Sequence, residues 1–111
     1  MNADLMATRQ YSLCLETLGN ELRLQIVKEL VEGPKSVQQL CKKLDVEQSR
    51  LSHSLQMLKK CSFVEVRPDG KQRIYSLKSD LLTGYKEGKK DLFELLDGHI
   101  KNFCENECKK C

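Results

Sequence analysis

The tightest constraint on the fold is a pair of amphipathic segments with almost nothing between them. SVQQLCKKL, residues 36–44, carries Val37, Leu40, Cys41 and Leu44 at the i, i+3, i+4, i+7 spacing of a buried helical face. EQSRLSHSLQMLKK, residues 47–60, sets Leu51, Leu55 and Leu58 on one stripe. Only Asp45 and Val46 separate the two. A gap that short forces an abrupt turn, so both apolar faces must share one small core, as in a helix–turn–helix. Ser36 is placed to cap the first helix. The second helix turns a polar stripe outward: Ser49, His53, Gln56 and Lys60, with Arg50 and Ser52 at its flanks and Gln48 at its start.

The flanking segments complete the pattern. After residue 60, FVEVR alternates like a strand, Asp69-Gly70 is a hairpin turn signal, and QRIYSL returns. Upstream, ELRLQIVKELVEG places Leu22, Ile26 and Leu30 one above another, with Val27 and Val31 beside them, and stops at Gly33-Pro34. Residues 4–18 form a weaker helix bearing Leu5, Leu13, Leu15 and Leu18, broken off at Gly19-Asn20. A last helix is predicted from about Ser79, with Leu92, Leu96, His99 and Phe103 on one stripe and Phe93, Asp97 and Ile100 on the next. Gly84, Gly88 and Gly98 weaken it. The expected architecture is mainly α with a small β-hairpin: a winged helix–turn–helix with extra N- and C-terminal helices. It occupies residues 1–103 as one DNA-binding and dimerisation domain, followed by a cysteine-rich tail at 104–111.

Charge narrows the partner. Residues 34–78 hold ten Lys or Arg against four Asp or Glu, whereas the remainder of the chain is net acidic. A basic middle between acidic ends suits a localised polyanion, and nucleic acid is the usual one. The N-terminus lacks the basic-then-apolar pattern of a signal peptide, and no run is long and apolar enough to span a membrane. The chain is therefore expected in the cytoplasm, where thiols stay reduced and six cysteines do not imply disulfides. Catalysis is not expected: no nucleophile has a paired base, and there is no glycine-rich phosphate loop.

On this frame the candidate DNA-reading residues are Gln48, Ser49, Arg50, Ser52, His53, Gln56 and Lys60 of the second helix, and Arg67, Lys71 and Arg73 of the hairpin. Short polar side chains suit base edges and phosphates, and a guanidinium can meet guanine through two hydrogen bonds. The hairpin cations would neutralise phosphates beside the groove. The plainer alternatives are a solvated helix face and edge-strand charges that deter aggregation.

LGNELRLQIVKELVEG, SVQQLCKKL, VEQSRLSHSLQMLKKCSFV and PDGKQRIYSL, in this order and spacing, resemble the ArsR/SmtB family of winged-helix repressors over about residues 17–80. Ser49, Ser52, His53 and Leu55, with the hairpin end Ile74-Tyr75-Ser76-Leu77, are the most specific parts. The resemblance implies a homodimeric repressor that binds double-stranded DNA at an inverted-repeat operator and leaves it when an inducer binds, often a thiophilic metal or metalloid. The family's common metal sites do not carry over. Where one type has a C-x-C pair, this chain has Ser36 and Gln38. Where another has D-x-H in the last helix, it offers Asp80 and no histidine.

The tail, CENECKKC, supplies an alternative. On a helix, Cys104, Cys108 and Cys111 would fall within about 60° of one another. Three thiolates on one face can hold a soft ion such as arsenite, antimonite, cadmium, lead or copper(I); zinc would want a fourth ligand, for which Cys14 of the partner subunit or His99 could serve. Lys101, Lys109 and Lys110 would favour the thiolates. The C-x3-C-x2-C spacing also keeps an iron–sulfur cluster open. Cys41 and Cys61 read as small core residues. Two rival readings stand beside metal sensing. One is a redox switch pairing Cys14 with a tail cysteine. The other is a metal-binding or protein-interaction module that has lost DNA binding.

Overall fold

A computed structural model describes residues 3–78 and 92–100. The chain runs α1 (Ala3–Leu18), α2 (Glu21–Val31), β1 (Lys35–Ser36), α3 (Val37–Leu44), α4 (Gln48–Lys60), β2 (Val64–Asp69), β3 (Gln72–Leu77) and α5 (Leu92–His99). The three strands form an antiparallel sheet in the order β1-β3-β2. The winged helix–turn–helix expected from the sequence is present, with helices added at both ends.

Local chemistry sets each boundary. Asn20 opens α2 by accepting the Arg23 amide at 3.1 Å. At the other end of α2, the Lys35 ammonium donates to the Glu29 carbonyl at 2.9 Å, satisfying one of the acceptors that a helix terminus exposes. Ser36 and Gln39 form a reciprocal capping box on α3: the Gln39 amide donates to Ser36 Oγ at 3.1 Å, and the Ser36 amide donates to Gln39 Oε1 at 2.8 Å. Asp45 takes the left-handed conformation (φ 54°) that ends α3, and the Val46 amide closes the turn on the Cys41 carbonyl at 3.2 Å.

The hairpin differs by one residue from the sequence expectation. Asp69 pairs with Gln72, so the two loop residues are Gly70 and Lys71 rather than Asp69 and Gly70. Gly70 has φ 65°, whereas Lys71 is not among the positive-φ residues. One positive φ, at the first loop position, is the type II′ requirement, while a type I′ turn needs two. Pro68 is tolerated because β2 lies at the sheet edge, where its missing N–H breaks no ladder. The two-residue strand β1 was not foreseen; it pairs Lys35 with Tyr75 and Ser36 with Ile74.

One core holds these elements. Leu22, Ile26, Val27 and Leu30 of α2, Leu40 of α3, and Leu51, Leu55 and Leu58 of α4 pack with Phe63, Val64 and Tyr75 of the wing. Cys14 of α1 and Leu96 of α5 extend the core to the terminal helices. Tyr11 hydrogen-bonds Asp97 and packs its ring on Phe93, with centroids 5.4 Å apart, so α1 and α5 lie against each other. Among the described residues, no helix is long and apolar enough to cross a membrane.

Candidate nucleic-acid interface

The core stripe Leu51–Leu55–Leu58 fixes how α4 is rotated, and every other side chain of the helix follows from that. At 100° per residue, Ser49, His53 and Lys60 point away from the core. Gln48, Ser52 and Gln56, at i, i+4 and i+8, turn toward the wing. With Lys71 and Arg73 they line a cleft of about 220 Å³ whose floor includes Ser36 and Tyr75. Arg50 stands on the opposite flank. The α4 and wing-tip side chains among these are exposed except Ser52, which is half-buried, whereas Ser36 and Tyr75 on the floor are buried.

A second cleft, of about 580 Å³, lies between the end of α4 and the wing. Lys59, Lys60, Val66, Pro68 and Arg73 line it. Gln56, Arg73 and Tyr75 border both clefts. Helix and wing are thus separated by two adjoining clefts, the first mostly polar and the second with an apolar floor of Val66, Pro68 and Tyr75, with cations on either side. Glu47, at the N-cap of α4, makes no side-chain capping bond, which leaves the first amides of the helix open to an anion.

The three wing cations are not equivalent. Residues paired across a sheet share a face, and faces alternate along a strand. Arg73 pairs with Pro68, on the face of Val66 and Tyr75 that looks toward α4. Arg67 pairs with Ile74, on the other face. Lys71 sits at the tip. Sequence alone grouped the three; the register separates Arg67 from the clefts.

The proposed metal ligands Cys104, Cys108 and Cys111 lie outside the described residues. Cys14 is buried in the core with a reduced thiol. Among the described residues, no group of three His, Cys, Asp or Glu side chains is placed to hold a metal ion.

A cysteine treated as plain core filler instead carries chemistry. Cys61, the C-cap residue of α4 and almost completely buried, is disulfide-bonded. Cys14 and Cys41 are reduced thiols, so the other half of that bond lies outside the described residues. The Cys61 sulfur is 3.2 Å from the Thr17 hydroxyl of α1, which also donates to the Leu13 carbonyl at 3.2 Å. On the α5 side, the His99 ring stacks on Phe63, with centroids 4.2 Å apart and planes 8° from parallel. Burial pushes the His99 pKa down to about 4, although a hydrogen bond to the Cys61 backbone works the other way. His99 therefore packs as a neutral ring, in keeping with its place on the Leu96 stripe.

A winged helix–turn–helix with basic and polar side chains along the clefts between its second helix and its wing defines a class of nucleic-acid-reading domains. The profile of the arsR family of bacterial regulatory proteins matches residues 20–66. The chain is 35% identical over 71 residues to a biofilm growth-associated repressor of Agrobacterium fabrum, covering 64% of this chain and 61% of that repressor. Among solved structures, the transcriptional regulator HlyU of Vibrio vulnificus superposes with a TM-score of 0.64 at 34% identity, over 68% of this chain and 79% of that one. Reduced HlyU of Vibrio cholerae gives a TM-score of 0.70 at 28% identity, over 75% and 87%. This chain belongs to the arsR family of winged helix–turn–helix regulators.

Proposed function

We propose that the protein is a homodimeric transcriptional repressor that reads an inverted-repeat operator in double-stranded DNA. The carrying observation is the rotation of α4, which buries its leucine stripe and leaves Gln48, Ser49, Arg50, Ser52, His53, Gln56 and Lys60 facing the wing or solvent. In this reading α4 enters the major groove, while Lys71 and Arg73 hold the backbone alongside. Dimerisation is supported by exposed apolar side chains on the two terminal helices, Leu15 of α1 and Phe93 of α5. Selection of duplexes from a random-sequence pool by the reduced full chain tests the reading. The recovered sites should be inverted repeats with half-sites about one helical turn apart, and sedimentation should find a dimer at micromolar concentration. Recovery of no preferred duplex, or a monomer on DNA, contradicts it.

Release from the operator is assigned to thiol chemistry near the C-terminus. In one form Cys104, Cys108 and Cys111, with Cys14 as a further candidate, bind a soft metal or metalloid ion. In the other the thiols respond by oxidation. The disulfide at Cys61 favours oxidation, and the likeness to a regulator solved in a reduced form is compatible with it. Native mass spectrometry of protein purified without oxygen separates the two: bound ion in the first case, a mass lower by two hydrogens per oxidised pair in the second.

A further inference from the structure

We propose that the second cleft, between the end of α4 and the wing, binds an amphipathic aromatic anion, a flat ring system bearing a carboxylate, and that a molecule seated there keeps DNA off Arg73. The site stands on its own geometry; its effect on DNA rests on the reading above. The cleft measures about 580 Å³, within the range of a few hundred to about 1,000 Å³ that suits a small organic ligand. It differs in kind from the smaller first cleft, whose lining is dominated by serine and glutamine side chains.

The register of the wing builds the floor. Val66 pairs with Tyr75 and Pro68 with Arg73, so these four side chains share the face that looks toward α4. Val66 is half-buried and Pro68 exposed, while Tyr75 is only 5% exposed. Among the described residues the Tyr75 hydroxyl makes no hydrogen bond, so this nearly buried side chain has a donor to spare where it lines the cleft. The facing wall is cationic. Gln56, Lys59 and Lys60 are i, i+3 and i+4 neighbours on α4, and Arg73 stands across from them. Among the described residues none of the three cations is in an ion pair. Both walls are preformed. The end of α4 is held where the Ser62 amide donates to the Lys59 carbonyl at 2.9 Å and the Phe63 amide to the Leu58 carbonyl at 3.0 Å. The wing is held by an unbroken ladder from Val64–Leu77 to Asp69–Gln72.

The occupant must satisfy both surfaces. A simple anion such as phosphate meets the cations and leaves the apolar floor wet. A neutral hydrocarbon covers the floor and gains nothing from the cations. A flat aromatic acid does both: its ring takes Val66, Pro68 and Tyr75 out of water, and the ammonium groups of Lys59 and Lys60 lie close enough to favour a ring face. Its carboxylate matches the paired donors of the Arg73 guanidinium, with the Tyr75 hydroxyl as a further donor. Gln56, Arg73 and Tyr75 also border the first cleft, and in the proposed function Arg73 holds the DNA backbone. A carboxylate on that guanidinium takes the donors a phosphate would use and sets a negative charge beside the duplex. Ligand and DNA therefore exclude each other, and each lowers the apparent affinity of the other by the same factor.

The test titrates the reduced full chain with naphthoate at fixed ionic strength and follows the NMR shifts residue by residue. Naphthalenemethanol and inorganic phosphate serve as the neutral and the non-aromatic counterparts. The expected result is saturable binding with the largest shifts at Lys59, Lys60, Val66, Arg73 and Tyr75, and an affinity about tenfold or more above either counterpart. Lys59→Gln and Val66→Thr should each weaken naphthoate about threefold or more, by removing a cation and by wetting the floor. Val66→Thr should leave affinity for a selected duplex within about twofold, because it changes no group that meets DNA. Lys59 is exposed, so its variant decides the matter even if Val66→Thr folds poorly. Naphthoate at about ten times its dissociation constant should raise the apparent dissociation constant for the duplex about tenfold. Shifts spread over the exposed Leu24, Val31 and Phe93, or phosphate binding as tightly as naphthoate, overturn the site. Naphthoate that binds and leaves duplex affinity unchanged overturns the exclusion of DNA. Failure to select any duplex contradicts the DNA-binding reading, whereas the naphthoate titration decides the site in either case.

Discussion

The two ends of α4 do different work. Its first three turns present polar side chains to solvent and the wing, on a surface that tolerates exchange because little packs against it. Its C-cap residue, Cys61, is sealed between α1, α5 and the wing, where almost any change disturbs several neighbours. In the proposed function, the open end is where DNA is read. The closed end is where the reading unit is held. A regulator needs both, and a perturbation at the closed end can reach DNA without touching it.

Removing Phe63 should erase the difference between the ends. Phe63 is fully buried and stacked on His99. Phe63→Ala should cost about 3–5 kcal/mol by leaving a cavity where wing, α4 and α5 meet. Urea denaturation measures this directly, and a loss below about 1 kcal/mol would show that the junction is not packed as described.

Acid should weaken the closed end selectively. His99 has a folded pKa of about 4, against 6.5 when unfolded. Above pH 6.5 the ring is neutral in both states and its full contribution is present. As pH falls from 6.5 to 4, the unfolded chain takes up a proton that the folded chain refuses, so stability declines; below about 4 the loss levels off. The expected decline attributable to His99 is about 1–3 kcal/mol. His99→Phe should flatten that part of the stability curve. An unchanged slope in the variant would place the acid sensitivity elsewhere.

Ser36→Ala tests the floor of the first cleft. It removes one half of the capping box on α3 and should cost about 1 kcal/mol of stability. The wing cations give the smallest effect and the finest distinction. Arg73→Ala should weaken binding to any duplex and reduce the salt dependence by about one counterion. Arg67→Ala, on the far face of the ribbon, should change neither. Equal effects from the two would contradict the register-based separation.

Much of this was legible before any coordinates. The leucine stripes fixed the rotation of α2, α3 and α4, because burial leaves an amphipathic helix a single orientation. The capping residue Ser36 before α3 and the turn at Asp45-Val46 marked the boundaries of the helix–turn–helix. The hairpin loop was misplaced by one residue because Asp-Gly is a strong local signal, and only strand pairing reveals which two residues form the loop. Strand β1 is two residues long, too short to carry any periodicity, and exists only because β3 lies beside it. Cys61 was missed for a different reason. In a sequence, a cysteine at a core position looks like any small apolar residue; its bonding depends on what the fold brings near.

The central claim is that the outward face of α4 reads bases rather than merely carrying charge. The most direct measurement is fluorescence anisotropy of reduced wild-type protein and Arg50→Ala on a selected duplex and on a scrambled one of the same composition. A base-reading guanidinium predicts a loss of about 1–3 kcal/mol on the selected duplex and little change on the scrambled one. Equal losses on both, or none on either, would contradict the account.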